Sequence, residues 1–261
     1  MRTLVISDFD DTMWMHNDND EQTVENLIAI DRFRQMGGLF GIATGRSIAA
    51  LKYTFPEFYR HVDVLITLDG AGVYLMKSGR LEEVATVKMP AKEAAEINKI
   101  ITRRARRRWR DRIFFQGEKE MEKYTDGYLS KVRVWCTDDA DCANLHQMLT
   151  EKGFNADFWL NIPAEWNFDM GRLKWVHGDM RHCLDISPRG VNKAAGIKLL
   201  LPHLVDDIHV VTAGDSSNDF EMVQQFDGYA VGENPGLSGA LADEEHRVKS
   251  LSEIFLKIPP S

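Results

Sequence analysis

The chain has 261 residues, 44% of them hydrophobic and 28% charged, which is typical of a globular protein with a sizeable core. The formal net charge of −8 excludes a general affinity for nucleic acid or anionic membranes, and no apolar stretch approaches the length of a bilayer span. The amino-terminal residues lack the pattern of a secretory signal, and three widely spaced cysteines fit neither a disulfide framework nor a zinc site. We therefore expect a cytoplasmic protein.

The first third of the chain alternates short apolar strands with helices. Strands are predicted at Thr3–Ile6, Leu39–Ala43 and Val62–Ile66, each of them a short apolar run. Helices are predicted between them at Thr23–Met36, which ends at two glycines, and at Ser47–Phe55, which ends before a proline. This alternation indicates a parallel sheet with right-handed crossovers.

The middle of the chain, residues 82–186, has a different pattern. Strand-like pieces alternate there with two helical runs, Ala91–Arg107 and Ala140–Lys152. This pattern predicts a separate α+β domain with its own core, inserted as a cap into the first domain. The strand-like pieces are Arg112–Phe115, Lys131–Cys136, Phe154–Leu160 and Trp166–Met170.

The last part of the chain returns to the first pattern. A helix is predicted at Val191–Leu201, a strand at Ile208–Thr212 and a helix at Asp219–Phe226. Residues 1–81 and 187–261 are therefore expected to form one catalytic core. The predicted fold class is α/β, with a Rossmann-like, doubly wound parallel sheet and an inserted α+β cap.

Two carboxylates follow the first predicted strand. Asp8 and Asp10 flank Phe9 at the carboxyl end of that strand, where open α/β sheets place their ligand crevice. Carboxylates held so close repel each other, and they are tolerated where a cation neutralises them or where one carries a proton. We interpret Asp8 as a nucleophile and Asp10 as a proton donor and acceptor, with a divalent cation between them. The alternative is a helix start that is rich in turn-forming Asp.

Three further polar loops lie at the end of a predicted strand or the start of a predicted helix. In the first, the Thr44 hydroxyl, the close approach that Gly45 allows and the free N–H groups of a helix start suit an anionic oxygen. In the second, Lys193 opens a helix, where a cation opposes the helix dipole unless an anion offsets it. The third, Gly214–Asp219, concentrates the oxygen ligands that Mg²⁺ prefers. The alternatives are a capped turn, a solvated lysine and a turn into a capped helix.

Together these segments resemble the haloacid dehalogenase superfamily, and specifically its Cof-type, sugar-phosphatase-like branch. That superfamily pairs an Asp-x-Asp-x-Thr strand end with a later Ser or Thr, then a Lys, then an acidic Gly-Asp-x-x-x-Asp loop. The matching segments are Asp8-Phe9-Asp10-Asp11-Thr12, Ala43-Thr44-Gly45-Arg46, Gly190-Val191-Asn192-Lys193, Gly214-Asp215-Ser216-Ser217-Asn218-Asp219 and Gly228-Tyr229-Ala230-Val231-Gly232. Two positions depart from the pattern, because Asp11 stands where Gly is commoner and Asp69 stands where relatives usually have Asn.

The resemblance implies a role for each matching residue. Asp8 would form an aspartyl-phosphate, and Asp10 would act as the acid and the base. Mg²⁺ would be held by the Asp8 carboxylate, the Asp10 backbone carbonyl and Asp215, while Asn218 and Asp219 orient its waters. Thr44 and Lys193 would stabilise charge on the transferring oxygens. The residues expected to bind the phosphate or the substrate are Thr44, Gly45, Arg46, Lys193 and Asn218.

The predicted function is a Mg²⁺-dependent phosphatase that acts on a small phosphorylated metabolite, with a sugar phosphate as the first choice. One alternative is a phosphomutase or phosphotransferase that passes the same phosphoryl group to a sugar hydroxyl. The other is a non-enzymatic phospho-acceptor switch, against which Asp10 and the inserted domain both argue. We expect no nucleic-acid or membrane partner and a monomer or homodimer.

Two basic segments of the middle region have open interpretations. Arg172, Lys174 and His177 are candidates for substrate selection, and a solvated loop is the alternative. The run Arg103–Arg112 contains seven arginines among ten residues and could bind nucleic acid. We favour a solvated helix end or a dimer contact for this run, because the chain as a whole is acidic and cations suit a helix end.

Overall fold

The computed structural model describes residues 2–16, 20–105, 113–115, 130–136, 138–159, 182–205, 207–233, 237 and 244–258. The chain folds into two compact units. The first comprises Met1–Val87 and Asn192–Ser261, and the second is the intervening segment Lys88–Val191. Within the described residues, no helix is both long enough and apolar enough to cross a membrane.

Eight strands form one sheet in the first unit. They are β1 (Arg2–Ser7), β2 (Leu39–Ala43), β3 (Val64–Thr67), β4 (Gly72–Lys77), β5 (Arg80–Thr86), β10 (Ile208–Gly214), β11 (Asp227–Val231) and β12 (Arg247–Val248). Their order across the sheet is β12-β11-β10-β1-β2-β3-β4-β5. All neighbours from β12 to β3 are parallel, whereas β4 and β5 are added antiparallel.

Helices cover both faces of this sheet. They are α1 (Asp20–Gln35), α2 (Ile48–Thr54), α5 (Lys193–Leu200), α6 (Phe220–Gln225) and α7 (Leu251–Lys257). Successive residues of β1 point to opposite faces, so Val5 packs in one core with α1, α2 and α7, whereas Leu4 and Ile6 pack in another with α5 and α6. The predicted α/β class with a doubly wound, mainly parallel sheet is therefore confirmed.

The hairpin of β4 and β5 is a feature that the sequence prediction lacks. Ser78 and Gly79 both have positive φ angles, 51° and 77°, which gives a two-residue turn that suits the twist of the strands. β5 remains in the large sheet as far as Thr86, so the predicted domain boundary after residue 81 falls inside a strand. The structure divides the chain after Val87 and after Val191 instead.

The second unit has its own sheet and its own apolar core. Its strands are β6 (Ile113–Phe115), β7 (Val132–Cys136), β8 (Asn155–Trp159) and β9 (His182–Ser187), and they pair antiparallel in the order β6-β7-β9-β8. Helices α3 (Ala91–Ala105) and α4 (Asp139–Thr150) contribute to one core with these strands. The predictions that lie outside the described residues are the strand Trp166–Met170, the candidates Arg172, Lys174 and His177, and the side chains of the run Arg103–Arg112.

A buried ionic cluster joins two strands of the second unit. Asp185, which is 3% exposed, accepts hydrogen bonds from Lys131 Nζ at 2.9 Å and from Arg133 at 2.6 and 2.7 Å. Burial alone would raise the pKa of Asp185, but the two cations outweigh burial and lower the pKa. The cluster therefore stays charged and ties β7 to β9.

Candidate active site

Three of the predicted segments meet at one edge of the large sheet. Asp8 follows β1, Thr44 follows β2, and Asp215 follows β10. Because β1 lies between β2 and β10 and all three are parallel, their carboxyl ends share that edge. The Asp8 N–H donates to the Ala213 carbonyl at 2.8 Å, so the backbone fixes the position of this carboxylate beside β10.

Lys193 connects the two halves of the first unit. Its Nζ atom donates to Asp8 Oδ1 at 2.7 Å and to Asp219 Oδ1 at 2.6 Å. Lys193 is only 1% exposed, so the alternative of a solvated lysine is wrong. Lys193 is the first residue of α5, and the carboxylates of Asp8 and Asp219 offset the unfavourable interaction with the helix dipole.

Three carboxylates form a compact acidic cluster around this lysine. Asp8, Asp215 and Asp219 each present an oxygen, and these atoms lie within 4.8 Å of one another. Asp219 uses both of its oxygens within the protein, because Oδ2 accepts from the Asp215 N–H at 3.2 Å and the Ser216 N–H at 3.1 Å. The Thr12 hydroxyl donates to Asp215 Oδ1 at 2.9 Å and orients that carboxylate. Asp8 and Asp215 are therefore better placed than Asp219 to hold a cation.

The charges of the cluster do not balance within the protein. Burial, followed by repulsion from Asp219, raises the pKa of Asp8 well above its usual value, and the same two causes raise the pKa of Asp215 to about 6. Burial would lower the pKa of Lys193, but Asp219 and Asp8 outweigh it and raise the pKa. One ammonium thus faces three carboxylates. A divalent cation with a preference for oxygen ligands fits this arrangement in both charge and ligand type.

Asp10 lies beside this cluster and has partners of its own. Arg46 donates to both carboxylate oxygens, from Nη2 to Oδ1 at 2.7 Å and from Nε to Oδ2 at 2.9 Å. His16 Nε2 lies 2.5 Å from Oδ1. Burial raises the pKa of Asp10, but the hydrogen bonds from His16 and Arg46 outweigh burial and lower the pKa to about 2. Asp10 is therefore an ionised carboxylate in this arrangement.

A model of the family described as haloacid dehalogenase-like hydrolase matches residues 5–254. The chain belongs to this family. The match covers both segments of the first unit and the inserted unit, and the family resemblance predicted from the motifs is confirmed.

Solved structures of haloacid dehalogenase-type proteins share this fold. A HAD subclass IIB sugar phosphatase is 15% identical with a TM-score of 0.63, and covers 97% of this chain and 95% of its own. A phosphatase from Bacteroides thetaiotaomicron is 16% identical with a TM-score of 0.63, at 98% and 94% coverage. A HAD/COF-like hydrolase from Plasmodium vivax is 18% identical with a TM-score of 0.64, at 97% and 94% coverage. At these identities the likeness shows the fold alone, and no curated protein matches the sequence significantly.

The Thr44 loop of this haloacid dehalogenase-like hydrolase is held by a turn at residues 68–70. Thr44 is fully buried, and its hydroxyl accepts from the Arg46 N–H at 3.1 Å. A Cβ atom at Gly45 would lie 2.8 Å from Asp69 Oδ1, so a larger residue here would have to displace the Asp69 carboxylate. Asp69 itself has a φ of 57°, in the left-handed region, and its N–H donates to the Thr44 carbonyl at 3.1 Å. Asp69, which stands where relatives usually have Asn, thus helps to stabilise this loop.

Some members of the site have positions that the motifs do not reveal. Asn218 lies in a 3-10 turn, Ser217–Asp219, and its Oδ1 accepts from the Ser216 hydroxyl at 2.6 Å. His16 is absent from the sequence prediction, because its contact with Asp10 depends on how the intervening loop turns back. The available signal was weak: a histidine shortly after an Asp pair, in a segment without strand or helix periodicity.

Proposed function

We propose that this protein is a Mg²⁺-dependent phosphatase that hydrolyses a small phosphorylated metabolite through an aspartyl-phosphate on Asp8. The observation that supports this most is the buried cluster in which Lys193 contacts Asp8 while Asp215 and Asp219 lie close by. A carboxylate nucleophile paired with the Lys193 ammonium, at the carboxyl edge of a parallel sheet, suits phosphoryl transfer. The Cof-type resemblance supports a sugar phosphate as the substrate class, and one solved structure of the same fold is named a sugar phosphatase.

The metal site that we propose uses ligands from both ends of the chain. The Asp8 carboxylate, the Asp10 backbone carbonyl and Asp215 would hold Mg²⁺, while Asn218 and Asp219 would orient its waters. When bound, the ion would offset the negative charge of the carboxylates and of the phosphoryl oxygens. Both Asp219 oxygens accept hydrogen bonds from protein donors, which supports a role in orienting the waters of the ion rather than in binding the ion directly.

In the first chemical step, a carboxylate oxygen of Asp8 attacks phosphorus. The new bond to Asp8 forms as the bond from phosphorus to the substrate oxygen breaks, and the electron pair stays on that oxygen. Asp10 donates a proton to the same oxygen. A bound phosphoryl group is negatively charged and raises the pKa of a neighbouring carboxyl group, which favours this protonated form of Asp10. Lys193 and Thr44 stabilise charge on the transferring oxygens.

In the second step, a water molecule attacks the phosphorus of the aspartyl-phosphate. Asp10, now ionised, takes a proton from this water. The bond between phosphorus and Asp8 breaks, inorganic phosphate leaves, and the Asp8 carboxylate is restored. The ionised Asp10 of this structure is the form that this second step needs.

A screen of phosphorylated metabolites tests the proposed function. The protein is expected to release inorganic phosphate from sugar phosphates in the presence of MgCl₂ and without an acceptor sugar. EDTA is expected to lower the rate by at least about 100-fold, because the charge that the ion offsets would be left in place. Excess MgCl₂ should restore the rate. An unchanged rate in EDTA would contradict the metal assignment, and turnover only with an acceptor sugar would favour a phosphotransferase or phosphomutase.

The stability of the metal-free protein is expected to fall as pH rises from about 4 to above about 6. Asp215 has a pKa of about 6 in the folded protein, whereas the unfolded value is about 3.9. The folded state therefore holds this proton more tightly and loses stability when Asp215 ionises. Mg²⁺ binds the ionised form of Asp215. MgCl₂ should therefore raise Tm little at about pH 5, below that pKa, and more at about pH 7.5, above it.

Thermal unfolding with and without MgCl₂ at these two pH values measures the effect. Asp215→Asn should reduce the pH dependence and the Mg²⁺-induced shift in Tm, and the raised pKa of Asp8 should leave part of the pH dependence in place. The matched control is Asp207→Asn, because Asp207 is an exposed residue that precedes β10 at its other end. Equal Mg²⁺-induced shifts at both pH values would contradict this assignment of Asp215.

The cap role of the inserted domain, the cytoplasmic location and the monomeric or homodimeric state stay predictions.

A further inference from the structure

The carboxylate of Asp10 has two unequal oxygens. Oδ1 receives hydrogen bonds from His16 Nε2 at 2.5 Å and from Arg46 Nη2 at 2.7 Å, with Arg46 Nε at 3.1 Å. Oδ2 accepts only from Arg46 Nε, at 2.9 Å, among the described residues. A carboxylate can only accept, so His16 Nε2 carries the hydrogen in this pair. Oδ1 is therefore held from two sides, and Oδ2 retains lone pairs for another partner.

His16 reaches Asp10 because the loop after β1 turns back on itself. Asp11 has a φ of 54°, and its side-chain Oδ1 accepts from the His16 N–H at 3.2 Å. The Trp14 N–H donates to the Phe9 carbonyl at 2.8 Å, and the ring of Trp14 lies 4.9 Å from that of Phe55. These contacts fix the loop, and the His16 side chain is only 14% exposed. Asp11, which departs from the usual Gly, thus supports the placement of His16.

We propose that His16 is a positioning residue for the proton transfer by Asp10. This inference rests on the proposed function, because it concerns the acid–base step of the same reaction. His16 and Arg46 converge on Oδ1 and so fix the rotation of the carboxyl group. Oδ2 is then presented as the oxygen that gives its proton to the leaving oxygen of the substrate. This arrangement favours the hydrolysis of phosphate esters whose leaving group requires protonation, such as sugar phosphates.

The proposal predicts an effect that depends on the leaving group. Phenyl phosphate and p-nitrophenyl phosphate have nearly the same shape, but p-nitrophenolate departs readily without a proton, whereas phenolate depends more on the acid. His16→Ala should lower kcat/KM for phenyl phosphate by about 10-fold or more, and for p-nitrophenyl phosphate by less than about 2-fold. The loss with phenyl phosphate is only part of the full effect of a general acid, because Asp10 itself is still present. His16→Gln should recover most of the loss, because its amide N–H can donate to Oδ1.

The matched control is His61→Ala. His61 also contacts an aspartate, with Nδ1 2.9 Å from Asp31 Oδ1, and its side chain is 18% exposed, close to the value for His16. It lies in the segment before β3, at the opposite end from the carboxyl edge of the sheet. His61→Ala should change kcat/KM for the two probes equally. In Asp11→Gly, the glycine accepts a positive φ but cannot accept a hydrogen bond from the His16 N–H. This variant should also lose kcat/KM selectively for phenyl phosphate, but by less than His16→Ala.

Each outcome of this experiment decides between the roles. A selective loss with phenyl phosphate, together with recovery in His16→Gln, supports the positioning role. An equal loss with both probes, or no loss with either, overturns it, because a purely structural residue would not discriminate between leaving groups. Far-UV circular dichroism and Tm of each variant show whether it is folded. Wild-type protein that hydrolyses neither probe in MgCl₂, or Asp8→Asn that hydrolyses both at the wild-type rate, would overturn the proposed function itself.

Discussion

Asp8→Asn is expected to lower kcat for phosphate release by about 10⁴-fold or more, since the amide cannot form the aspartyl-phosphate. The wild-type carboxylate lies at the end of β1, 4% exposed, with Lys193 Nζ at 2.7 Å. The variant should remain folded, because Asn has nearly the same volume and its carbonyl oxygen can still accept from Lys193. Rapid acid quenching of wild-type protein with ³²P-labelled substrate should trap a labelled protein, and Asp8→Asn should trap none.

The control for this variant is Asp207→Asn, an exposed position outside the cluster. It should leave both turnover and labelling unchanged. Phosphate release by Asp8→Asn at the wild-type rate would reject Asp8 as the nucleophile. Loss of turnover with labelling retained would instead place the phosphoryl group on a different residue.

Lys193→Met is expected to abolish turnover and to lower the free energy of unfolding by about 3–5 kcal/mol at neutral pH, as when one partner of a buried ion pair is removed. Lys193 is 1% exposed and contacts both Asp8 and Asp219, so its loss leaves two buried carboxylates without their cation. Methionine fills a similar volume without charge, which separates the electrostatic effect from a cavity. Urea unfolding of wild type and variant measures the difference.

Lys198→Met is the matched control for this change. Lys198 lies on the same helix, α5, but its Nζ contacts Gln225 Oε1 on the exposed surface at 2.5 Å. The control should alter the free energy of unfolding by less than about 0.5 kcal/mol and leave turnover intact. A similar loss of stability in both variants would show that charge burial at Lys193 is not the cause. Unimpaired turnover by Lys193→Met would remove this lysine from the proposed mechanism.

The site residues that could be predicted from sequence are those that a regular element positions. Asp8 and Asp215 each follow an apolar strand, and parallel strands bring such residues to one edge. Lys193 was recognisable as a cation at a helix start. The sequence could not show that the partners of this lysine are Asp8 and Asp219, since their closeness depends on the packing of α5 against the sheet.

The features that could not be predicted depend on irregular backbone. His16 faces Asp10 only because Asp11 adopts a left-handed conformation and the loop folds back. Asp69 was recognisable as an unusual residue, but its contact with Gly45 requires the left-handed turn at residues 68–70. Positive φ at residues other than Gly is rare, so a sequence gives little warning of it.

The central position of β1 has a consequence for the synthesis of this protein on the ribosome. β1 pairs with β2 on one side and with β10 on the other, yet β10 begins only at Ile208. A nascent chain that stops before this point leaves one side of this largely buried strand open to pairing with other chains. Asp8 also lacks its lysine, 185 residues further along the chain, until then. Translation must therefore pass Ile208 before β1 is paired on both sides, and nascent fragments that stop short of this residue are exposed to aggregation.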